Sequence, residues 1–176
     1  MLFKRRLVCV VLCALSFSCT DNTLASLVDL EEDNAFEATL KEVKQVCFPL
    51  KGAPLPTKKD FQVIEEKFGT LHPQLRRVLE ELSHLSSRFY DLLSASRSQA
   101  WPVSEFEKTN YKFLEKSSLK TYHVFCCNNG DYFCVNKETG AVGYWQHEEE
   151  EFSTNENNCW SSLGDWLRRT FLVNQI

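Results

Sequence analysis

The stretch from Thr121 to Gln146 constrains the fold of this chain most strongly, because it predicts three short strands joined by two tight turns. Residues 122–127 alternate in the period-two pattern of a strand with two distinct faces. Asn128–Gly130 and Asn136–Gly140 supply residues that tolerate the left-handed dihedral angles of tight turns. Three such strands cannot bury their apolar residues alone, so we expect helices from the rest of the chain to cover them.

Apolar residues at helical spacing predict those helices on both sides of the meander in the sequence. The predicted segments are 35–47, 58–68, 73–92, 104–114 and 160–171. Two of them begin with capping boxes, Thr57–Asp60 and Ser104–Glu107. The longest begins at Pro73 and carries an apolar face for about five turns to Leu92, which makes it the best candidate to cover the sheet.

Composition and charge favour a globular protein with a protein partner. The apolar share is 43% and the aromatic share 12%, which is sufficient for a packed core. The net charge of −4 becomes −7 if the three basic residues Lys4, Arg5 and Arg6 are removed. An acidic chain is a poor candidate for nucleic-acid binding, which needs clustered lysine and arginine. It suits a basic protein partner, although solubility alone would also account for the charge.

The N-terminus has the layout of a secretory leader. Three basic residues precede an apolar run that ends near Cys19, and polar residues follow. The run is shorter than the roughly 20 residues of a transmembrane helix. Cleavage before Cys19 would give a lipoprotein and cleavage after Ala25 a soluble exported protein, whereas an uncleaved segment would leave the chain in the cytoplasm. We therefore expect export, with membrane contact only through the leader or a lipidated Cys19.

Several motifs resemble the core signature of the SUKH (Smi/Knr) superfamily. The matching segments are Asn128–Val135, Thr139–Val142, Trp145–Glu148 and the aromatic-led Trp160–Leu167, with a looser match upstream at Ile64–Gly69. The resemblance implies an α+β fold, with a single, mainly antiparallel sheet covered by surrounding helices. It divides the chain into a leader (1–19), a linker and amphipathic helix (20–57) and a SUKH-like domain (58–176).

The resemblance also implies a role in binding. Many bacterial members are immunity proteins that neutralise toxins, often nucleases, by direct binding, and eukaryotic and viral members look like protein-interaction modules. An exported leader does not suit immunity against a cytoplasmic nuclease. A structural or host-interaction role for an exported protein is therefore the alternative.

The sequence gives little indication of catalysis or metal binding. Motifs for an activated nucleophile or a phosphate-binding loop are absent, so we expect neither an enzyme nor a cofactor. Cys47, Cys126, Cys127, Cys134 and Cys159 lie beyond the leader, and buried thiols are favoured over one or two disulfides, for instance between Cys134 and a neighbouring strand. His123 and His147 could approach each other across paired strands, but their spacing does not predict a metal site.

An acidic run after the third strand is the candidate binding site. Glu148, Glu149, Glu150 and Glu151 follow Tyr144 and Trp145, two aromatic residues on opposite faces of the strand. An acidic loop beside exposed aromatic residues would suit a basic protein partner. Asp131, from the signature segment, is included in the predicted site. The alternative is a solvated charge run with no binding role.

Overall fold

The computed structural model describes residues 21–47, 54–83, 85, 90–98 and 102–173, with side chains from residue 30 onward. The predicted leader, including Cys19, lies outside the described residues. The helices are α1 (Asp21–Val46), α2 (Lys58–Phe68), α3 (Pro73–Leu82), α4 (Glu105–Lys116) and α5 (Leu163–Leu167), which continues as a π-helix (Arg168–Val173). The strands are β1 (Asp91–Leu92), β2 (Tyr122–Asn128), β3 (Asp131–Asn136), β4 (Val142–Gln146), β5 (Glu151–Phe152) and β6 (Cys159–Trp160). The compact unit that holds the sheet begins at Ala35, inside α1.

The strands of the described residues form one antiparallel sheet in the order β1-β2-β3-β4-β5, and β6 also pairs with β4. The predicted meander is confirmed as β2, β3 and β4. Its first turn contains Asn129 and Gly130 with positive φ, and its second ends at Gly140, also with positive φ. The Asn136 side chain accepts hydrogen bonds from the backbone N–H groups of Glu138 and Thr139, which closes that second turn.

Both faces of the sheet are covered. Tyr132 and Trp145 are cross-strand partners on one face, and the ring of Phe113 in α4 packs against both of them. Successive strand residues point to opposite faces, so Phe133 lies on the other face, where it contacts Trp166 of α5 at a ring distance of 5.3 Å. The expectation that helices cover the meander is therefore confirmed, but α4 and α5 make these contacts.

The ends of the helices follow from the sequence. In both predicted capping boxes the hydroxyl of the N-cap residue accepts from a backbone N–H, and the carboxylate three residues later accepts from the N-cap backbone. Gly69 ends α2 with a φ of 84°. The ammonium group of Lys137 also donates to the carbonyl of Phe68, 2.6 Å away, so a cation lies at the negative end of the α2 dipole.

Two predicted segments differ from the structure. The helix from Pro73 was predicted to reach Leu92, but it ends at Leu82 because Ser83 adopts an extended conformation. Leu92 instead lies in β1, opposite Cys126. Residues 21–34, predicted as a linker, are the first half of α1.

The core draws on every helix. Phe36, Leu40 and Val43, which follow one another at helical spacing in α1, are buried in the same cluster as the apolar residues of α2, α3, α4 and α5. Four apolar residues of the segment predicted as the C-terminal helix are also buried: Leu163, Trp166, Leu167 and Phe171. Within the described residues, no helix is both long and apolar enough to cross a membrane.

Candidate protein-binding surface

The turn between β2 and β3 meets the turn between β4 and β5 at one end of the sheet, and Asp131 joins them. Its carboxylate accepts hydrogen bonds from the Tyr144 hydroxyl (2.6 Å), the His147 backbone N–H (2.9 Å) and His147 Nδ1 (2.7 Å). Asp131 begins β3 and His147 directly follows β4. The antiparallel pairing of β3 with β4 brings these two ends together, so the contact is a consequence of the register.

A glycine makes room for the histidine. Gly130 has a φ of 97°, and a Cβ built on it would lie 3.1 Å from Cε1 of His147. The imidazole therefore lies directly against the backbone of the β2–β3 turn, while its side chain is 38% exposed. Gly130 thus supplies both the left-handed turn and the space for the ring.

The electrostatics of this corner keep Asp131 ionised and Tyr144 neutral. Partial burial opposes ionisation of Asp131, but the hydrogen bonds from Tyr144 and His147 outweigh it and hold the pKa of the carboxyl below its usual value. Burial, reinforced by the hydrogen bond to Asp131, raises the pKa of Tyr144 well above its usual value. The three side chains therefore form a fixed anchor at neutral pH.

The anchor supports the turn that carries the predicted acidic run. Glu148, Glu149 and Glu150 lie in this turn, and Glu151 begins β5, where it pairs with Gln146. All four side chains are exposed, and none takes part in the ion pairs found among the described residues. We call this β4–β5 unit, with Glu148–Glu151 at its tip, the acidic hairpin.

One other charged surface of the protein is neutralised by internal ion pairs. On the α1–α3 surface, Arg77 donates to Glu37 at 3.0 Å and to Glu81 at 3.1 Å, and Lys44 also pairs with Glu81. These contacts use opposite charges that would otherwise be available to a partner. In the acidic hairpin, by contrast, none of the four carboxylates pairs with a cation of the described residues.

The structure brings together most of the predicted site residues. Asp131, Tyr144 and Glu148–Glu151 lie in the corner formed by the two turns. Trp145, predicted to be an exposed aromatic residue, is only 4% exposed and packs between Phe113 and Phe152. That prediction was wrong because α4 covers the face of the sheet to which Trp145 points.

His147 is the part of the site that the sequence did not identify. The approach to His123 that strand pairing could have allowed does not occur, because His123 pairs with Val135 near the start of β2, whereas the anchor lies at its far end. His123 is buried against the carbonyl of Phe68 (3.2 Å), and burial lowers its pKa to about 4. The signal that could have located His147 is its place directly after β4, beside the start of β3.

The cysteines of the described region are free thiols. Cys126 and Cys134 are buried, and burial raises the pKa of both. The disulfide considered between Cys134 and Cys126 or Cys127 is not formed, because Cys134 lies opposite Val124 in the register. Within the part of the chain that is described, no group of His, Cys, Asp and Glu side chains could hold a metal ion.

In the described part of the chain, helices cover both faces of one antiparallel sheet, which defines an α+β protein. The chain belongs to the SUKH superfamily: residues 36–172 match the profile of the SUKH_5 family, described as SMI1-KNR4 cell-wall.

One solved structure extends the comparison. The crystal structure of a protein from Pseudomonas syringae pv. tomato has a TM-score of 0.63 to this chain, with 17% identity over 78% of this chain and 98% of that one. At that identity the likeness concerns the fold alone. A comparison with curated proteins found no match.

Proposed function

We propose that this chain is a non-enzymatic protein-binding module that recognises a basic protein through its acidic hairpin. The observation that supports the proposal most directly is that the acidic hairpin, which Asp131 and His147 anchor, exposes four carboxylates that pair with no cation of the described residues. No cofactor or nucleic acid takes part. The α+β scaffold holds the charges in place and leaves them accessible.

The physical argument has two parts. Clustered charges of one sign attract a partner of opposite sign over the Debye length, about 8 Å at physiological salt, and raise the association rate. A surface that is already ordered before binding loses less conformational entropy when the partner binds. The hydrogen bonds from His147 and Tyr144 to Asp131 supply that order.

Within this function, a toxin is our first candidate for the partner. The proposal follows from the resemblance of the signature segment to SUKH immunity proteins. Such a module would act by covering a basic, functional surface of the toxin. The four exposed carboxylates of the hairpin suit the basic surface of a nuclease better than they suit nucleic acid itself.

The test is charge reversal at the acidic hairpin. Changing Glu148–Glu151 to Lys should weaken binding of a partner captured by the full chain by roughly tenfold or more, and make the remaining affinity less sensitive to salt. Changing Glu31, Glu32, Asp33 and Glu66 to Lys alters the net charge equally at other exposed positions and serves as the control. Equal losses in the two variants, or unchanged affinity in both, would refute the proposal.

An exported form of the same module is the second candidate. The observation in its favour is the leader-like sequence of residues 1–19, with its basic start and short apolar run. In this form the domain would serve a structural or host-protein interaction at the cell envelope. Mass spectrometry of the mature protein distinguishes the candidates: a start at Cys19 or after Ala25 favours export, and an intact N-terminus favours cytoplasmic immunity.

A further inference from the structure

A groove opens at the sheet edge beside the acidic hairpin. β5 and β6 both pair with β4, at its two ends, and residues 153–158 connect them. The backbone N–H of Ser153 donates to the carbonyl of Tyr144 between the two pairings. The groove has a volume of about 290 Å³ and is bordered mainly by apolar side chains; those that matter here are Tyr122, Val142, Phe152, Cys159 and Trp160, with Gly143 between them.

The shape of the groove favours an apolar side chain. The ring of Phe152 lies against Gly143, where an added Cβ would be 3.1 Å from two ring carbons. The Tyr122 and Phe152 rings are 4.7 Å apart, and they form an aromatic wall. Pockets for drug-sized ligands span roughly 300–1,000 Å³, so this groove has room for one or two side chains of a polypeptide.

The rim of the groove is acidic. Glu151 directly precedes Phe152, and Glu156 lies exposed in the connection between Phe152 and Cys159. The sequence from Ala141 to Leu167 contains no lysine or arginine. A second copy of this chain would bring the same carboxylates against one another, which like-charge repulsion disfavours.

We propose that this groove receives a large apolar side chain from an extended segment of the basic partner, with lysine or arginine on either side of that residue. The inference rests on the proposed function and specifies what the acidic hairpin recognises. The apolar side chain would pack against the rings of Phe152 and Tyr122, on the sheet face to which Cys159 points, and the flanking cations would lie against Glu151 and Glu156. An apolar anchor with a charged rim is the arrangement that makes a short segment specific.

Cys159 offers a way to close the groove without changing any glutamate. Its side chain is exposed on the groove wall, so Cys159→Trp should fill the groove with little effect on the core. Cys159→Ser keeps the volume and serves as the matched control. If Cys159→Trp fails to fold, alkylation of the folded wild-type protein with N-ethylmaleimide blocks the same space, with alkylated Cys159→Ser as its control.

The experiment is a selection of displayed random linear peptides on the full chain, followed by affinity measurements on the best binders. We expect the selected peptides to combine a large apolar residue with flanking Lys or Arg. Cys159→Trp or alkylation should lower the affinity for these peptides by at least roughly tenfold. Cys159→Ser, alkylated or not, should bind as wild type. Selection of no peptide, of peptides lacking that pattern, or of peptides that bind Cys159→Trp unchanged would overturn the inference.

The failure of this inference can be distinguished from failure of the proposed function. If Glu148–Glu151→Lys lowers the affinity for the natural partner while Cys159→Trp binds it normally, the partner uses the acidic hairpin but not the groove. If neither variant lowers the affinity for the natural partner, both proposals fail.

Discussion

At the scale of single residues, a buried carboxylate links three segments of the core. Glu107 has no exposed surface, and it accepts hydrogen bonds from Lys67 Nζ at 2.8 Å and Arg97 Nε at 2.7 Å. It also accepts from the backbone N–H and the hydroxyl of Ser104. Burial opposes ionisation of Glu107, but these donors outweigh it and lower its pKa to about 2. The carboxylate therefore connects α2, the segment around Arg97 and the start of α4.

We expect Glu107→Gln to lower the free energy of unfolding at neutral pH by about 3–5 kcal/mol, because it leaves Arg97 and Lys67 without a buried counter-charge. Urea unfolding measures the change. Glu115→Gln, at an exposed position of the same helix, should shift stability by less than about 0.5 kcal/mol. A Glu107→Gln variant as stable as Glu115→Gln would contradict the assignment.

The Glu107 carboxylate also makes the stability of the folded protein depend on pH. The folded pKa of Glu107 lies below its unfolded value of 4.5, so its contribution to stability is complete above that value. It is lost as the pH falls from about 5 towards 2. The wild-type protein should therefore lose stability more steeply than Glu107→Gln over this range.

At the scale of elements, the side chain of Asn110 in α4 makes the backbone hydrogen bonds that a neighbouring strand would make at an irregular point of the sheet. The register of β2 shifts between Val124 and Cys126. The Asn110 amide accepts from the N–H of Val124 and donates to its carbonyl, both at 2.9 Å. These buried backbone groups are thus satisfied where the sheet is irregular.

We expect Asn110→Ala to reduce the free energy of unfolding by about 2–3 kcal/mol, because it leaves two buried backbone groups of Val124 without partners. Native-state hydrogen exchange should show faster exchange of the Val124 amide in particular. Lys112→Ala, at an exposed position of α4, provides the control. If the Val124 amide stays as protected as in the wild type, Asn110 does not have this role.

The elements also explain how far the sequence could predict the fold. The meander was predictable because turn residues such as Gly130 and Gly140 mark its ends locally. The end of α3 was not, because Leu85 and Leu92 continue its apolar spacing although Leu92 lies in β1, where its N–H donates to the carbonyl of Leu85. Apolar spacing predicts which residues are buried but not that they are helical, and Leu92 is buried in a strand.

The candidate site was predictable in its charges but not in its geometry. The exposure of Glu148–Glu151 follows from their place in a turn. The burial of Trp145 depends on α4 packing on the second face of the sheet, which strand alternation alone does not reveal. The contact between Asp131 and His147 requires knowledge of which strand ends are neighbours.

At the scale of the whole molecule, the SUKH scaffold places two features on one side of the sheet edge. β4 supplies the pairing edge for both β5 and β6, so the acidic hairpin and the apolar groove share one strand. Helices α4 and α5 cover the two sheet faces, and β5 and β6 pair with the edge of β4. A partner that binds at this edge would contact both the acidic hairpin and the apolar groove beside it.

Hydrogen–deuterium exchange of the full chain, free and bound to its captured partner, tests the proposed binding surface most directly. We expect slower exchange on binding in residues 146–160, which include the acidic hairpin and the connection to β6, and little change in α1 and α3. Protection confined to the exposed faces of α1 and α3, with exchange in residues 146–160 unchanged, would contradict recognition through the acidic hairpin.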